Sequence, residues 1–235
     1  MGARRFAWIP LAAALAGALL AAPPAQATFH LNRIREVYPG SSTNPTSEYV
    51  ELQAMSAGQN FVSGQTVTFY GASGSVNGTA TFSSMVAKGE NQDTILIATS
   101  TAATQFGVTP DLTISPAADL LSPAGGAVCW GATALDCVSW GSFSGTLPSP
   151  AGTPAAAISN GMALRRTIAR GCPTALDEAD DTNNSSADFA EAMPSPRNNA
   201  TPPTETLCTP RSTSTSVSCE PSTVVVSHGT TCTAT

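Results

Sequence analysis

The stretch LNRIREVYPGSSTNPTSEYVEL, residues 31–52, decides the fold. Its beginning, LNRIREV, mixes branched apolar residues with polar ones, as a half-exposed strand does. The middle, PGSSTNP, consists of residues that favour turns and loops. The end alternates, with Val50 and Leu52 on one face and Tyr49 and Glu51 on the other. The stretch therefore predicts two strands with one apolar face, which later strands must cover.

The rest of the chain shows similar short patterns. Strands are predicted at Gln65–Tyr70, Ser75–Phe82, Thr94–Ala98, Leu112–Ile114, Gly126–Trp130 and Asp136–Trp140, with Met162–Arg166 as the last strand of the main body. Thr101–Phe106 is predicted as a single helical turn, and the pair Asn77-Gly78 as a two-residue hairpin turn. Turn residues separate the strands about every ten residues, which is typical of sandwiches and barrels. The predicted fold class is all-β with long loops.

Composition and charge exclude some classes of function. The chain has 235 residues, of which 11% are charged, and its formal net charge is -6. Binding to nucleic acid depends on basic side chains that neutralise phosphates, so no nucleic-acid partner is expected. The two histidines, His30 and His228, lie at opposite ends, and there is no G-x-S-x-G motif. We therefore predict that this chain is not an enzyme.

Residues 1–27 have the pattern of an export signal. Two arginines precede an apolar run at 8–20, and Ala25-Gln26-Ala27 forms a small-x-small cleavage site. The alternative is a transmembrane anchor, but the run is short and prolines interrupt it. We expect cleavage before Thr28, no membrane span after cleavage, and a secreted or cell-surface protein.

The cysteines agree with export. All six lie after the signal, at positions Cys129, Cys137, Cys172, Cys208, Cys219 and Cys232. An even number in an oxidising compartment indicates disulfides, although six cysteines allow 15 pairings. We predict pairing between neighbours: Cys129–Cys137, Cys172–Cys208 and Cys219–Cys232. Zinc is the alternative, but there is no CxxC pair and no nearby histidine.

An acidic segment is the candidate metal site. Asp177, Asp180, Asp181 and Asn183 lie close together and carry the oxygen ligands that calcium prefers. Their spacing does not match an EF-hand loop, so the alternative is a solvated acidic loop. Calcium is the only cofactor that these residues suggest, and no other is expected.

Two other groups of side chains are candidates for chemistry or binding. Glu36, Glu48 and Glu51 lie near the first loop. Two carboxylates held close together can act as a general acid and a general base. The alternative is that they are surface partners of nearby arginines, namely Arg33, Arg35 and Arg165. Trp130 and Trp140 flank the cysteine hairpin. They either stack on a ligand or pack against the disulfide.

The order of several segments resembles a known family. These segments are RIREVYPG, SEYVELQ, DTILIAT, FGVTPDLTI, AGGAVCW, DCVSWGSF, NGMALRR, DTNNSSADF and PSPRNNA. Over about residues 28–201 the series resembles the lamin-tail domain as found in secreted bacterial proteins. The resemblance implies an immunoglobulin-like β-sandwich without catalytic residues. The cysteines and the long Gly/Ser loops differ from the nuclear lamin form, which argues against a nuclear or filament role.

The resemblance also divides the chain. A signal peptide at 1–27 precedes a lamin-tail-like sandwich at 28–200 and a Pro/Thr-rich linker at 201–212. Residues 213–235 resemble the opening of a bacterial immunoglobulin-like repeat, which would be incomplete because such a domain needs about seven strands. The alternative for these last residues is a disordered tail.

Together these patterns predict a non-catalytic secreted or cell-surface module with a binding, adhesion or structural role. Its partner would be an unidentified extracellular protein or carbohydrate. The alternative is an accessory domain of an extracellular hydrolase, a nuclease or phosphatase, with its catalytic domain after residue 235.

Overall fold

The computed structural model describes residues 29–115 and 119–208, together with the backbone of 217–220 and 231–234. The first two ranges contain ten strands: β1 Asn32–Tyr38, β2 Tyr49–Ala54, β3 Thr66–Gly71, β4 Val76–Thr81, β5 Thr94–Thr99, β6 Leu112–Ile114, β7 Gly125–Trp130, β8 Asp136–Gly141, β9 Ala163–Arg166 and β10 Phe189–Ala192. They also contain helices α1, Ser100–Phe106, and α2, Ser185–Asp188, and a 3-10 turn at Glu178–Asp180. The predicted export signal lies outside the described residues.

The ten strands form two sheets. The larger sheet has the order β10-β9-β1-β2-β5-β6, and the smaller one the order β4-β3-β7-β8. All neighbouring strands are antiparallel except β5 and β6. Side chains from both sheets meet in one buried core, so the chain is an all-β sandwich, as predicted.

The core lies between the two sheets. The larger sheet contributes Ile34, Val50, Leu52, Ile97 and Leu164, and the smaller one Val67, Phe69, Val128, Trp130, Val138 and Trp140. Burial of each large apolar side chain contributes about 1.5–3 kcal/mol. Trp130 and Trp140 are both 0% exposed. They are part of the core, so the hypothesis that they stack on a ligand is wrong.

Strand β2 is covered on both faces, where the sequence predicted one apolar face. Val50 and Leu52 face the core as expected, but Tyr49 and Glu51 are buried as well. On this second face, the outer face of the larger sheet, Phe106 of α1 packs edge-on against Tyr49, with ring centroids 5.5 Å apart. The predicted helical turn therefore exists and covers part of that face.

The Asn77-Gly78 pair does not form the predicted hairpin turn. It lies inside β4, and the chain turns earlier, where Gly74 has a φ of +86°. The Asn77 side chain donates a hydrogen bond to the Leu120 carbonyl oxygen at 2.9 Å. A Cβ at Gly78 would lie 3.0 Å from the Leu120 side chain. Packing against Leu120 therefore overrides the local turn preference.

The sequence predicted β9 as the last strand of the main body, but one more strand follows it. Strand β10 pairs with β9 from Phe189↔Arg166 to Ala192↔Ala163 and extends the larger sheet. Its sequence, FAEA, has neither the length nor the β-branched residues that mark a strand. Pairing with β9 therefore makes this segment a strand.

Two of the three predicted disulfides are confirmed. Cys129 and Cys137 lie opposite each other on β7 and β8, with their Cα atoms 4.1 Å apart. Cys172 and Cys208 are joined with a Cα–Cα distance of 5.7 Å and a sequence separation of 36. The second bond ties residues 201–208, part of the predicted linker, to the segment that follows β9.

The end of the chain contains a further strand pair. Strands β11, Val217–Glu220, and β12, Thr231–Ala234, are antiparallel and place Cys219 opposite Cys232. The side chains of these two cysteines lie outside the described residues, so their disulfide stays a prediction.

In the part of the chain that the structure describes, no helix has the length and apolar character needed to cross a membrane.

Candidate functional site

The acidic segment that was the candidate calcium site contacts a buried arginine of β9. Asp181 accepts from Arg33 Nε at 2.6 Å and from Arg166 Nη1 at 3.0 Å. The Arg166 side chain is 0% exposed, and its Nη2 lies 2.9 and 2.7 Å from the two carboxylate oxygens of Asp136. Asp188 Oδ2 is 3.7 Å from Arg166 Nη1. We call these four residues, Arg166, Asp136, Asp181 and Asp188, the Arg166 cluster.

In the Arg166 cluster, the positive charge of one arginine is surrounded by three carboxylates. Burial tends to lower the pKa of Arg166, but the negative charges of Asp136 and Asp181 prevail and raise it. The same arginine donates from Nε to the Ile34 carbonyl oxygen at 3.0 Å, and its guanidinium lies 4.6 Å from the centre of the Phe189 ring. The cluster therefore joins β1, β8, β9 and the acidic segment.

The remaining calcium candidates also hold the protein's own groups. Asp177 accepts from the backbone N–H groups of Ala179 and Cys172, at 2.8 and 2.6 Å. Asp180 is 0% exposed and accepts from two further backbone N–H groups, while Asn183 is exposed. Within residues 29–115 and 119–208, no group of three or more His, Cys, Asp or Glu side chains has the geometry to hold a metal. The geometry gives these residues a structural role, and calcium binding stays a prediction.

The three candidate glutamates are buried, and only two of them lie together. Glu36 and Glu51 are register partners on β1 and β2. Glu48 lies apart and accepts from the backbone N–H groups of Leu120 and Leu121, at 2.9 and 2.6 Å. Burial raises the pKa of Glu48 to about 7, although these hydrogen bonds oppose the shift. All three glutamates are at most 1% exposed, so the expectation of surface positions is wrong.

Glu36 and Glu51 line a polar cavity of about 200 Å³ on the outer face of the larger sheet. We call it the Arg35 pocket, and its lining residues are Arg35, Glu36, Glu51, Arg165, Ser195, Arg197, Thr204 and Glu205. It contains three arginines and three glutamates, and it is the strongest candidate site in the described part of the chain.

A bulge in β1 shapes the Arg35 pocket. Ile34 is opposite Leu52 and Glu36 is opposite Glu51, so Arg35 is an extra residue without an opposite partner. Because a bulge interrupts the strict alternation of faces, Arg35 and Glu36 both line the cavity. Bulges commonly redirect side chains beside functional sites.

Glu36, the first glutamate of the pocket, accepts hydrogen bonds from three donors. Arg165 Nε and the Tyr49 hydroxyl donate to its two carboxylate oxygens, and the Ser195 N–H donates to Oε1 at 2.9 Å. Burial and the negative charge of Glu36 raise the pKa of Tyr49. Of the arginine partners that the sequence suggested, Arg165 is therefore confirmed for Glu36.

The other two glutamates share one arginine. Arg197 donates to Glu51 from its backbone N–H at 2.6 Å and from Nη2 at 3.1 Å, and Glu205 Oε2 lies 2.9 Å from its Nη1. Burial raises the pKa of Glu51 to about 7, although Arg197 opposes the shift. Burial also acts to raise the pKa of Glu205, but hydrogen bonding and charge from Arg197 prevail and lower it to about 2.

Arg35 is different. Its Nε and Nη1 are buried and have no hydrogen-bond partner, and its guanidinium forms no ion pair with any residue of the described ranges. Burial lowers its pKa, opposed by the charges of Glu51 and Glu205. The sequence suggested a glutamate partner for Arg35, and none of the described glutamates lies within ion-pair distance.

Half of the pocket was not predicted. Ser195, Arg197, Thr204 and Glu205 come from the segment that follows β10, which the sequence marked only as a Pro-rich exit and linker. The only signal there is an arginine that follows two prolines in PSPRNNA, and one such arginine does not distinguish a site from a surface loop.

Comparisons with a collection of family models, with curated proteins and with solved structures found no match. The lamin-tail resemblance therefore stays a prediction. Any functional conclusion depends on the geometry of the described residues.

Proposed function

We propose that the chain is a non-catalytic binding module of a secreted or cell-surface protein, with a domain of the lamin-tail type. Its ligand is an extracellular molecule. The Arg35 pocket is the observation that carries the proposal, because ion pairs form its walls before any ligand is present. Such preorganisation reduces the ordering cost of binding.

Extracellular function is supported by the covalent structure. Two disulfides join residues that are 8 and 36 positions apart. Disulfides persist in oxidising compartments and are rare in the cytosol of most organisms. Their presence is compatible with an extracellular location.

The arrangement of the carboxylates favours binding over catalysis. A general acid or base must reach the proton that it transfers in a bound substrate. Glu36 accepts hydrogen bonds from Arg165, Tyr49 and the Ser195 backbone, and Glu51 accepts three from Arg197. Both carboxylates are therefore engaged in holding the pocket walls.

The residue that tests this point is Glu51, because a pKa of about 7 suits a general acid. We expect the purified chain to hydrolyse no nucleic acid, phosphoester, peptide or glycoside. A hydrolytic rate in the wild type that is abolished by Glu51→Gln and retained by the matched variant Glu178→Gln, at an exposed position, would contradict the proposal.

A binding experiment tests the positive part. The purified chain is applied to arrays of extracellular glycans and peptides, with and without reductant. We expect binding that decreases on reduction, because the Cys172–Cys208 bond holds the segment that carries Ser195, Arg197 and Glu205. Absence of binding to every arrayed class, with a folded and oxidised chain, would count against the proposal.

A further inference from the structure

We propose that Arg35 binds the carboxylate of a small extracellular ligand in the Arg35 pocket. The inference rests on the proposed binding function and adds the chemical class of the ligand, an organic monocarboxylate. It is carried by the geometry around one arginine.

The first step is that Arg35 is the one arginine of the described ranges that forms no ion pair with a carboxylate. Five of the six arginines in residues 29–115 and 119–208 form an ion pair with a carboxylate: Arg33, Arg165, Arg166, Arg170 and Arg197. Arg35 is the sixth, and both its Nε and its Nη1 are buried without an acceptor. Most buried polar groups in proteins are hydrogen-bonded, and an exception calls for a missing partner.

The second step is that every glutamate of the pocket is already paired with another arginine. Glu36 is bound by Arg165, and Glu51 and Glu205 are both bound by Arg197. Moving Glu36 to Arg35 would leave Arg165 unpaired, and moving Glu51 or Glu205 would remove one of the two carboxylates that pair with Arg197. A ligand from outside the pocket walls supplies an acceptor for Arg35 without breaking any of these ion pairs.

The third step concerns the charge of the ligand. A guanidinium presents planar paired donors that match the two oxygens of a carboxylate or of a phosphate. The three arginines of the pocket only balance its three glutamates, so the pocket has no surplus positive charge to compensate a second negative charge on the ligand. A monoanion is therefore favoured over a phosphate dianion.

The fourth step is access and size. Arg35 and Arg165 also line an adjoining cavity of about 340 Å³ along β9 and β10, so Arg35 lies between two openings. The Arg35 pocket itself, at about 200 Å³, is smaller than the roughly 300–1,000 Å³ of sites for drug-sized ligands. It accommodates one acidic group, while the rest of the ligand extends into the adjoining cavity.

The experiment observes Arg35 directly. The side-chain Nε–H signals of the arginines are followed by NMR while acetate, D-glucuronate or inorganic phosphate is added, with neutral D-glucose as the matched control for D-glucuronate. We expect acetate and D-glucuronate to shift the Arg35 signal in a saturable way. D-glucose should leave it unchanged, and phosphate should bind more weakly than either carboxylate.

Substitution gives the second measurement. Arg35→Met should weaken D-glucuronate binding by about tenfold or more, since a hydrogen-bonded charge is lost. Arg170→Met, which removes an arginine outside the pocket, should leave the affinity unchanged. Thermal melting of both variants tests whether they are folded. If a variant does not fold, the titration of the wild-type Arg35 signal decides alone.

The outcomes separate this inference from the proposed function. The inference is wrong if neither carboxylate shifts the Arg35 signal, if Arg35→Met binds as tightly as the wild type, or if phosphate binds more tightly than both. Binding to the arrays would in that case still support a binding module. Conversely, hydrolysis that depends on Glu51 would contradict the proposed function, while the Arg35 titration would still report on the carboxylate.

Discussion

Arg166 and Arg35 lie on the adjacent strands β9 and β1, yet their surroundings differ. Arg166 has carboxylates from β8 and from the acidic segment within 3.0 Å, and it contacts Phe189. Arg35 has no such partner, although three glutamates line its pocket. Burial of a charge is costly unless partners surround it. Arg166 therefore stabilises the fold, whereas the Arg35 guanidinium remains available to bind a ligand.

The largest expected effect comes from removing the charge that is fully paired. Arg166→Met leaves the carboxylate of Asp136, which is 2% exposed, without its arginine partner. Breaking a buried pair in this way costs about 3–5 kcal/mol. We expect urea denaturation to show a loss of this size in the free energy of unfolding.

The control for that prediction is Arg170→Met. The Arg170 side chain is 38% exposed and pairs with the same Asp188. Exposed pairs contribute about 0–1 kcal/mol, so the loss should be small. Equal losses for Arg166→Met and Arg170→Met would contradict the central role of the Arg166 cluster.

The disulfides connect the two regions. The loop closed by Cys172–Cys208 contains the acids of the acidic segment and one wall of the Arg35 pocket, whereas Cys129–Cys137 closes only a hairpin. The separations of 36 and 8 close loops of 37 and 9 residues counted inclusively, for which chain entropy gives about 3.8 and 2.6 kcal/mol. Changing both cysteines of the longer loop to Ser should therefore lower the melting temperature more than the same change in the hairpin.

The reverse order of melting temperatures would show that the hairpin bond is the more important one. The Arg35 Nε–H signal sharpens the comparison further. It should shift when the Cys172–Cys208 bond is removed, because a pocket wall is released, and it should stay in place when the Cys129–Cys137 bond is removed.

Glu51 of the Arg35 pocket and Asp181 of the Arg166 cluster make stability depend on pH in opposite directions. In the Arg35 pocket, burial raises the pKa of Glu51 from 4.5 to about 7, so the folded protein keeps a proton that the unfolded chain releases. The stability that this proton provides is present below about pH 4.5 and is lost as the pH rises to about 7. Glu51→Gln should therefore reduce the decline of unfolding free energy over that interval, by about 3 kcal/mol.

Asp181 in the Arg166 cluster provides the contrast. Burial acts to raise its pKa, but Arg166 and Arg33 prevail and lower it below its usual 3.8. Its contribution is therefore present above that value and is lost only as the pH falls further. Asp181→Asn should change the acid limb of the stability profile, and an effect mainly between pH 5 and 7 would contradict this assignment.

The smallest effect is expected for Arg35 itself. Arg35→Met removes a half-buried charge that has no ion-pair partner, so the free energy of unfolding should stay within about 1 kcal/mol of the wild type or increase. Arg165→Met is the matched variant on the neighbouring strand. It leaves the Glu36 carboxylate without its arginine, which should cost about 1–3 kcal/mol by urea denaturation.

A loss of about 2 kcal/mol or more in Arg35→Met would mean that Arg35 contributes to the fold, and the contrast with Arg166 would fail. It would also remove the basis for treating Arg35 as a site for a ligand.

The sequence by itself determined the fold class, most strand positions and two cysteine pairs. Strict alternation in SEYVEL and the turn residues between strands are local signals, because the side chains of a strand alternate between its two faces. The hairpin from Cys129 to Cys137 follows from the same short-range pattern, since its two cysteines lie on adjacent strands.

Only the tertiary structure decided which charges have partners. The Asn77-Gly78 turn was lost to packing against Leu120, and β10 exists because β9 is beside it. Arg166 obtains its acceptors from three distant parts of the chain, and the Arg35 pocket joins β1 to residues about 160 positions later. Burial and ion pairing depend on distances in space, and adjacent arginine and glutamate residues in a strand pattern give no information about them.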